Sequence, residues 1–138
     1  MLRSLQAEVA EGPIARARAL VDFLRLTMAF GDLEMVRVLY LSASAYLLLD
    51  EVVSTGSPAG AHFPHWKILS CAVRLNAAGL ILAHNHPSGN PAPSRADIAS
   101  TRKLVSGATA LDIQIHDHLI VARCGWTSFR ALGLLEAA

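Results

Sequence analysis

The chain has 138 residues, 12 Lys and Arg against 11 Asp and Glu, a formal charge of +1 and 53% apolar residues, the composition of a single globular domain. That length can bury about two-thirds of the unfolded surface without a disulfide framework, and it excludes a (β/α)₈ barrel, which needs roughly 250 residues. The near balance of charge excludes a broad electrostatic footprint for nucleic acid, because such binding rests on clustered Lys and Arg, although a local basic patch stays open.

Taken in chain order, Glu8 and Glu11 stand where an export signal would have its apolar stretch. After Gly12-Pro13, Leu20, Val21, Leu24 and Met28 share one face at helical spacing, which predicts an amphipathic helix over Ile14 to Ala29. Met35 to Leu41 and Tyr46 to Val53 read as paired strands joined by Ser42-Ala43-Ser44. The longest uncharged apolar stretch, Val38 to Leu49, ends at Asp50 and is far short of the about 20 residues a membrane helix needs, so no membrane association is expected. A breaker-rich stretch leads to Pro64, suited to the first turn of a helix that uses Ile68, Leu69, Ala72 and Leu75. Cys71 here and Cys124 near the end lack paired spacing and read as buried or free thiols of a reducing compartment, the cytoplasm.

Ala78 to Ala83 is wholly apolar and predicts a central buried strand. Ser94 opens a helix expected to stop at Gly107. Leu111, Ile113 and Ile115 then alternate with polar residues, and Leu119 to Ala122 read as a further strand before the turn at Cys124-Gly125. The fold class expected is α/β, a mixed β-sheet flanked by helices.

Between the central strand and the next helix lies His84-Asn85-His86-Pro87-Ser88-Gly89, followed by Ser94 and Asp97. On a strand running to His86, the two imidazoles project from one face. The Pro- and Gly-rich turn reverses the chain, so the first turn of the following helix can return a carboxylate to them. Two His and one Asp with a fourth position open is the arrangement of a catalytic zinc. S-x-x-D is equally a capping box, and alone Ser94 and Asp97 read as caps; the joint spacing turns the reading toward metal ligation, with which capping by Ser94 is compatible. His116-Asp117-His118 repeats H-x-H without a returning acid, so no second metal site is expected there. His62 and His65 read as surface or groove-lining residues.

The pattern resembles the JAMM motif of the MPN+ metallopeptidase superfamily, and HNHPSG followed by PSRAD looks most like its RadC-like JAB branch. Glu34 to Leu41, Gly56-Ser57, Leu80 to Gly89, Asp117 to Val121, Ser128-Phe129 and Gly133-Leu134 are each similar to segments of that branch, so the likeness runs from Glu34 to Leu135. It implies residues 34–135 as a catalytic core behind a helical extension, 1–33, in one domain of 1–138. It also implies a sheet similar to that of the cytidine deaminases, whose own reaction fits poorly because H-x-E and P-C-x-x-C are missing.

Carried over by position, the resemblance implies that His84, His86 and Asp97 hold one Zn²⁺ per chain. Glu34 would deprotonate the attacking water and later pass the proton to the leaving amine, and Ser94 would donate to the developing oxyanion. Apart from the resemblance, the second H-x-H itself reads as Asp117 or His118 supporting the zinc ligands from outside. The activity implied is zinc-dependent hydrolysis of a peptide or isopeptide bond in a peptide or protein substrate; the alternative is a catalytically weak, metal-bound interaction module associated with DNA maintenance. A homodimer is compatible with either. Pro64-His65-Trp66 stands where the branch reads P-R-E, which implies altered specificity. The 33 residues before Glu34 are too few for the helix-hairpin-helix region usual in longer members, so a DNA-repair role transfers weakly.

Overall fold

The computed structural model describes residues 13–56 and 63–136. Its elements are α1 (Pro13–Met28), β1 (Met35–Leu41), β2 (Leu47–Thr55), α2 (His65–Arg74), β3 (Gly79–Asn85), α3 (Arg95–Ala110), β4 (Gln114–Ala122) and β5 (Gly125–Ser128). The strands form one mixed sheet in the order β2-β1-β3-β4-β5. β1 runs antiparallel to both β2 and β3, whereas β3 and β4 are parallel, as the α3 crossover between them requires.

Strand alternation divides the core into two layers. On one face, Leu20, Val21, Leu24 and Met28 of α1 pack with Leu39, Leu41, Ile81 and Ala83. On the other, Ile68 and Ala72 of α2 and Leu104, Val105 and Ala108 of α3 cover Val36, Val38, Leu80 and Leu82. β3 is buried along its whole length, which explains why Gly79 to Ala83 contains no polar residue. His84 continues the Leu80-Leu82 side, facing α2 and α3, and Asn85 continues the Ile81-Ala83 side, facing the α1 layer. Arg37 of β1 forks onto Asp50 of β2 with two bonds of 2.6 Å and reaches Thr27 of α1 at 2.8 Å, tying helix, strand and edge together. Among the described residues, no helix is long and apolar enough to cross a membrane.

The mixed α/β sheet matches the expected fold class. Two local expectations are corrected. Gly107 does not end α3; it lies inside the helix, where a Cβ would sit 2.8 Å from Leu69 Cδ1, so its missing side chain admits the close approach of α2. The helix runs instead to Ala110, with Leu111 as its C-cap; Asp112 follows at φ of 57°, and the Asp112 and Ile113 amides bond back to the carbonyls of Thr109 and Ala108. The alternation that begins at Leu111 is therefore partly helix end, and Gln114–Ala122 form one continuous strand rather than two. Residues 1–12, most of the expected helical extension, and His62 lie outside the described residues, so the domain boundary at 33/34 is left as an expectation.

Candidate metal centre

The first donors come from the end of β3. His84 is fully buried, and Val36 of β1 pairs with it across the sheet. Glu34, two residues before Val36, therefore points to the same face. Beyond His86 the chain turns, with the Gly89 amide bonding the His86 carbonyl at 3.0 Å and Gly89 at φ of 90°, a value that suits a residue without Cβ. Ser94 then caps α3. Its Oγ accepts from the Asp97 amide at 3.0 Å, and Asp97 Oδ2 accepts from the Ser94 amide at 2.9 Å. The capping box thus fixes the Asp97 carboxylate in a posture facing the imidazoles, so the side chain that caps the helix is also a candidate ligand.

The structure brings Glu34, His84, His86 and Asp97 together, with one donor atom from each lying within 4.8 Å of all the others. His84 Nε2 is 2.9 Å from His86 Nε2 and 3.4 Å from Asp97 Oδ1, and His86 Nε2 is 3.1 Å from Asp97 Oδ2. Glu34 Oε1 stands slightly farther out, at 3.5 Å from His84 Nε2 and 3.7 Å from His86 Nε2. A tetrahedral shell with bonds near 2.0–2.1 Å sets its donors about 3.3–3.4 Å apart, so these spacings suit a small divalent ion.

Hydrogen-bond partners assign the tautomers. The Thr101 hydroxyl donates to the Asp97 carbonyl at 2.8 Å, so its oxygen must accept the proton on His118 Nδ1, 2.7 Å away. Burial pushes His118 well below the usual histidine range, and the adjacent His84 acts in the same direction, so His118 is neutral and its Nε2 carries a lone pair. That lone pair accepts from His84 Nδ1 at 2.6 Å. His86 Nδ1 donates to the Asn90 carbonyl at 2.9 Å. With Nδ1 carrying a proton in each ring, both Nε2 atoms face one point beside two carboxylates and are the positions that give up a proton to a metal. Such a set requires a cation, whether a proton or a metal ion, and its chemistry fits a divalent metal.

The electrostatics agree with this. Burial alone would raise Asp97, but hydrogen bonds and charge from His84 and His86, with the Ser94 amide, outweigh it and hold the carboxyl far below the usual carboxylate range. Burial alone would lower His86, but its bonds to Asp97 and the Asn90 carbonyl, with the Glu34 charge, raise it.

A RadC-like JAB domain model matches residues 14–134, most of the chain. This chain belongs to the RadC-like JAB domain family. Three proteins named only as UPF0758 are similar to it. One from Symbiobacterium thermophilum is 38% identical over 134 residues, covering 97% of this chain and 57% of that protein. One from Rhodobacter capsulatus is 39% identical over 136 residues, covering 96% and 63%. One from Ruegeria pomeroyi is 42% identical over 119 residues, covering 85% and 52%. The chain thus spans between about half and two-thirds of the length of these relatives.

Within this RadC-like JAB domain, the two expected outer residues separate. His118 touches a candidate ligand, and Asp117 does not. Asp117 Oδ2 accepts from the Ser128 hydroxyl at 2.6 Å, and its Oδ1 accepts from the amides of His118 at 2.7 Å and Arg130 at 3.0 Å. These bonds secure the turn that lays Phe129 flat on the His118 ring, with centroids 4.2 Å apart, while Phe63 closes the other approach at 5.2 Å. Thr101 and Phe63 were not singled out from the sequence, and Phe129 entered only through the family likeness of Ser128-Phe129. Thr101 had a signal, since it follows Asp97 by four residues and so shares its helix face; Phe63 had none. His65 is not a plain surface residue, because its Nε2 meets the Ser100 carbonyl at 2.9 Å and joins α2 to α3. Trp66 is exposed. His116 stays outside the cluster, and among the described residues no second group of three metal-capable side chains forms.

Proposed function

We propose that this JAB domain is a zinc-dependent hydrolase that cleaves a peptide or isopeptide bond in a peptide or protein substrate. The observation that carries the reading is the convergence of two imidazole Nε2 atoms, each with its Nδ1 hydrogen-bonded elsewhere, and two carboxylates inside 4.8 Å. Imidazole and carboxylate in four-coordinate spacing favour zinc over the oxygen-preferring magnesium and calcium. His84, His86 and Asp97 would hold the ion. The longer reach of Glu34 to both imidazoles leaves room for a water between it and the centre.

Zinc bound there would lower the pKa of a water to about 7 and polarise a substrate carbonyl. The rest falls to the chain's own groups. Glu34 takes the proton of the attacking water and returns it to the departing amine. The Ser94 oxygen already accepts from the Asp97 amide, which leaves its hydroxyl proton available for the oxygen of the scissile carbonyl. Phe63 and Phe129 keep water from His118, so the tautomer of His84 is held through the cycle. The test is cleavage of a library of peptides and isopeptide-linked peptides. Activity abolished by a chelator and restored by Zn²⁺ is expected, and no cleavage of any member by fully zinc-loaded protein would overturn the reading.

Two further outcomes follow from the hydrogen-bond chain. His118→Phe removes the acceptor for His84 Nδ1–H and frees the ring to take the wrong tautomer, so zinc affinity should fall about 10–100-fold in a chelator competition, with Thr101→Val changing it in the same direction. Unchanged affinity in both would contradict the tautomer assignment. The second concerns pH. In the metal-free chain His86 lies above the usual 6.5, so its protonated form contributes stability that is complete below the unfolded value and is lost as pH rises through the raised one. Zinc must displace that proton. Calorimetry in buffers of different ionisation heat should therefore show protons released on zinc binding at about pH 6, near the ordinary histidine value; no release there would contradict it.

A further inference from the structure

We propose that Asn85 is a positioning residue for Glu34, an inference that rests on reading Glu34 as the base of a metal centre. Asn85 stands between His84 and His86 on β3, and alternation turns its side chain to the opposite face of the sheet. It is fully buried there. Its Oδ1 accepts from the Met35 amide at 2.7 Å, and its Nδ2 donates to the Leu33 carbonyl at 2.9 Å. The orientation of the amide is unambiguous, because a backbone N–H can only donate and a carbonyl only accept.

These two peptide groups flank Glu34 on either side. The register between β1 and β3 ends at Val36 opposite His84, so beyond that point the Asn85 side chain takes over from the ladder. From the other edge, the Gly56 amide bonds the Glu34 carbonyl at 2.8 Å. A Cβ on Gly31 would lie 3.4 Å from Asn85 Nδ2, so the amide is boxed in by the loop after α1. One residue thus faces two ways: its neighbours supply the imidazoles, and its own side chain sets the backbone from which the carboxylate reaches them. Because Glu34 Oε1 stands only 3.5 Å and 3.7 Å from the two nitrogens, a slip of about 1 Å at residues 33–35 would take it out of register with the centre.

The experiment compares wild type, Asn85→Leu and Glu34→Gln, each metal-free and loaded with Co²⁺, whose visible spectrum reports the surroundings of the ion. Asn85→Leu should keep Co²⁺ affinity to within about 10-fold, since no ligand is touched. It should lose hydrogen-exchange protection at the Met35 amide and shift the Co²⁺ spectrum toward that of Glu34→Gln. A role in strand stability alone would change exchange without moving the spectrum. If Glu34→Gln alters the spectrum and Asn85→Leu does not, the inference about Asn85 is overturned and the reading of Glu34 stands. If Glu34→Gln leaves the spectrum unchanged, or no Co²⁺ binds, the reading of Glu34 fails and takes the inference with it. Asn85→Ala replaces Asn85→Leu should the larger side chain prevent folding, with the same outcomes.

Discussion

Substitution of His84 by Ala is expected to abolish stoichiometric zinc binding, lowering affinity by more than the about 10–100-fold typical of outer supporting residues. His84 is the most enclosed donor of the four, held at Nδ1 by His118 and aimed at the centre through Nε2. Its loss also leaves His118 Nε2 buried without a donor, so the metal-free variant should be destabilised by about 1–3 kcal/mol. His86→Ala separates the two effects. Its ring lies at the rim and is bonded to a loop carbonyl, so it should remove metal binding at a smaller cost in stability. Metal content by mass spectrometry under native conditions and urea unfolding check both. Full zinc occupancy in either variant would contradict the proposed ligand set.

Glu34→Gln is expected to separate chemistry from binding. The substitution keeps shape but removes the base, so hydrolysis should fall by about 10²–10⁴-fold. Zinc affinity should change little, because the distances place Glu34 outside the three nearest donors. Rates are compared on whichever library member the wild type cleaves. Equal rates would remove Glu34 from the reaction, and loss of zinc along with rate would make it a ligand instead.

The reason these residues could be found is unequal from one to the next. His84 and His86 were legible because a two-residue period on an apolar strand is a local rule, and Asp97 because a capping box follows from helix ends. Glu34 carries no local mark. It lies 50 residues before His84 and joins it only through antiparallel pairing of β1 with β3, so its place came from family resemblance rather than from pattern. The limits of α3 were misplaced for a similar reason. Gly107 looks like a stop when only the helix is considered, but its meaning is the approach of Leu69 from α2. Asn85 reads as a spacer between two histidines until the backbone of residues 33–35 is set beside it. Wherever the deciding partner is remote in sequence, the residue type alone is silent.

The central claim is that one small divalent ion lies where the four side chains meet. Its most direct test is a crystal structure of zinc-reconstituted protein with anomalous data collected on both sides of the zinc edge. The account predicts a single strong peak at about 2.0–2.2 Å from His84 Nε2, His86 Nε2 and an Asp97 carboxylate oxygen, with Glu34 not bonded to it. A site without anomalous signal at full zinc concentration, or an ion seated away from these imidazoles, would contradict it.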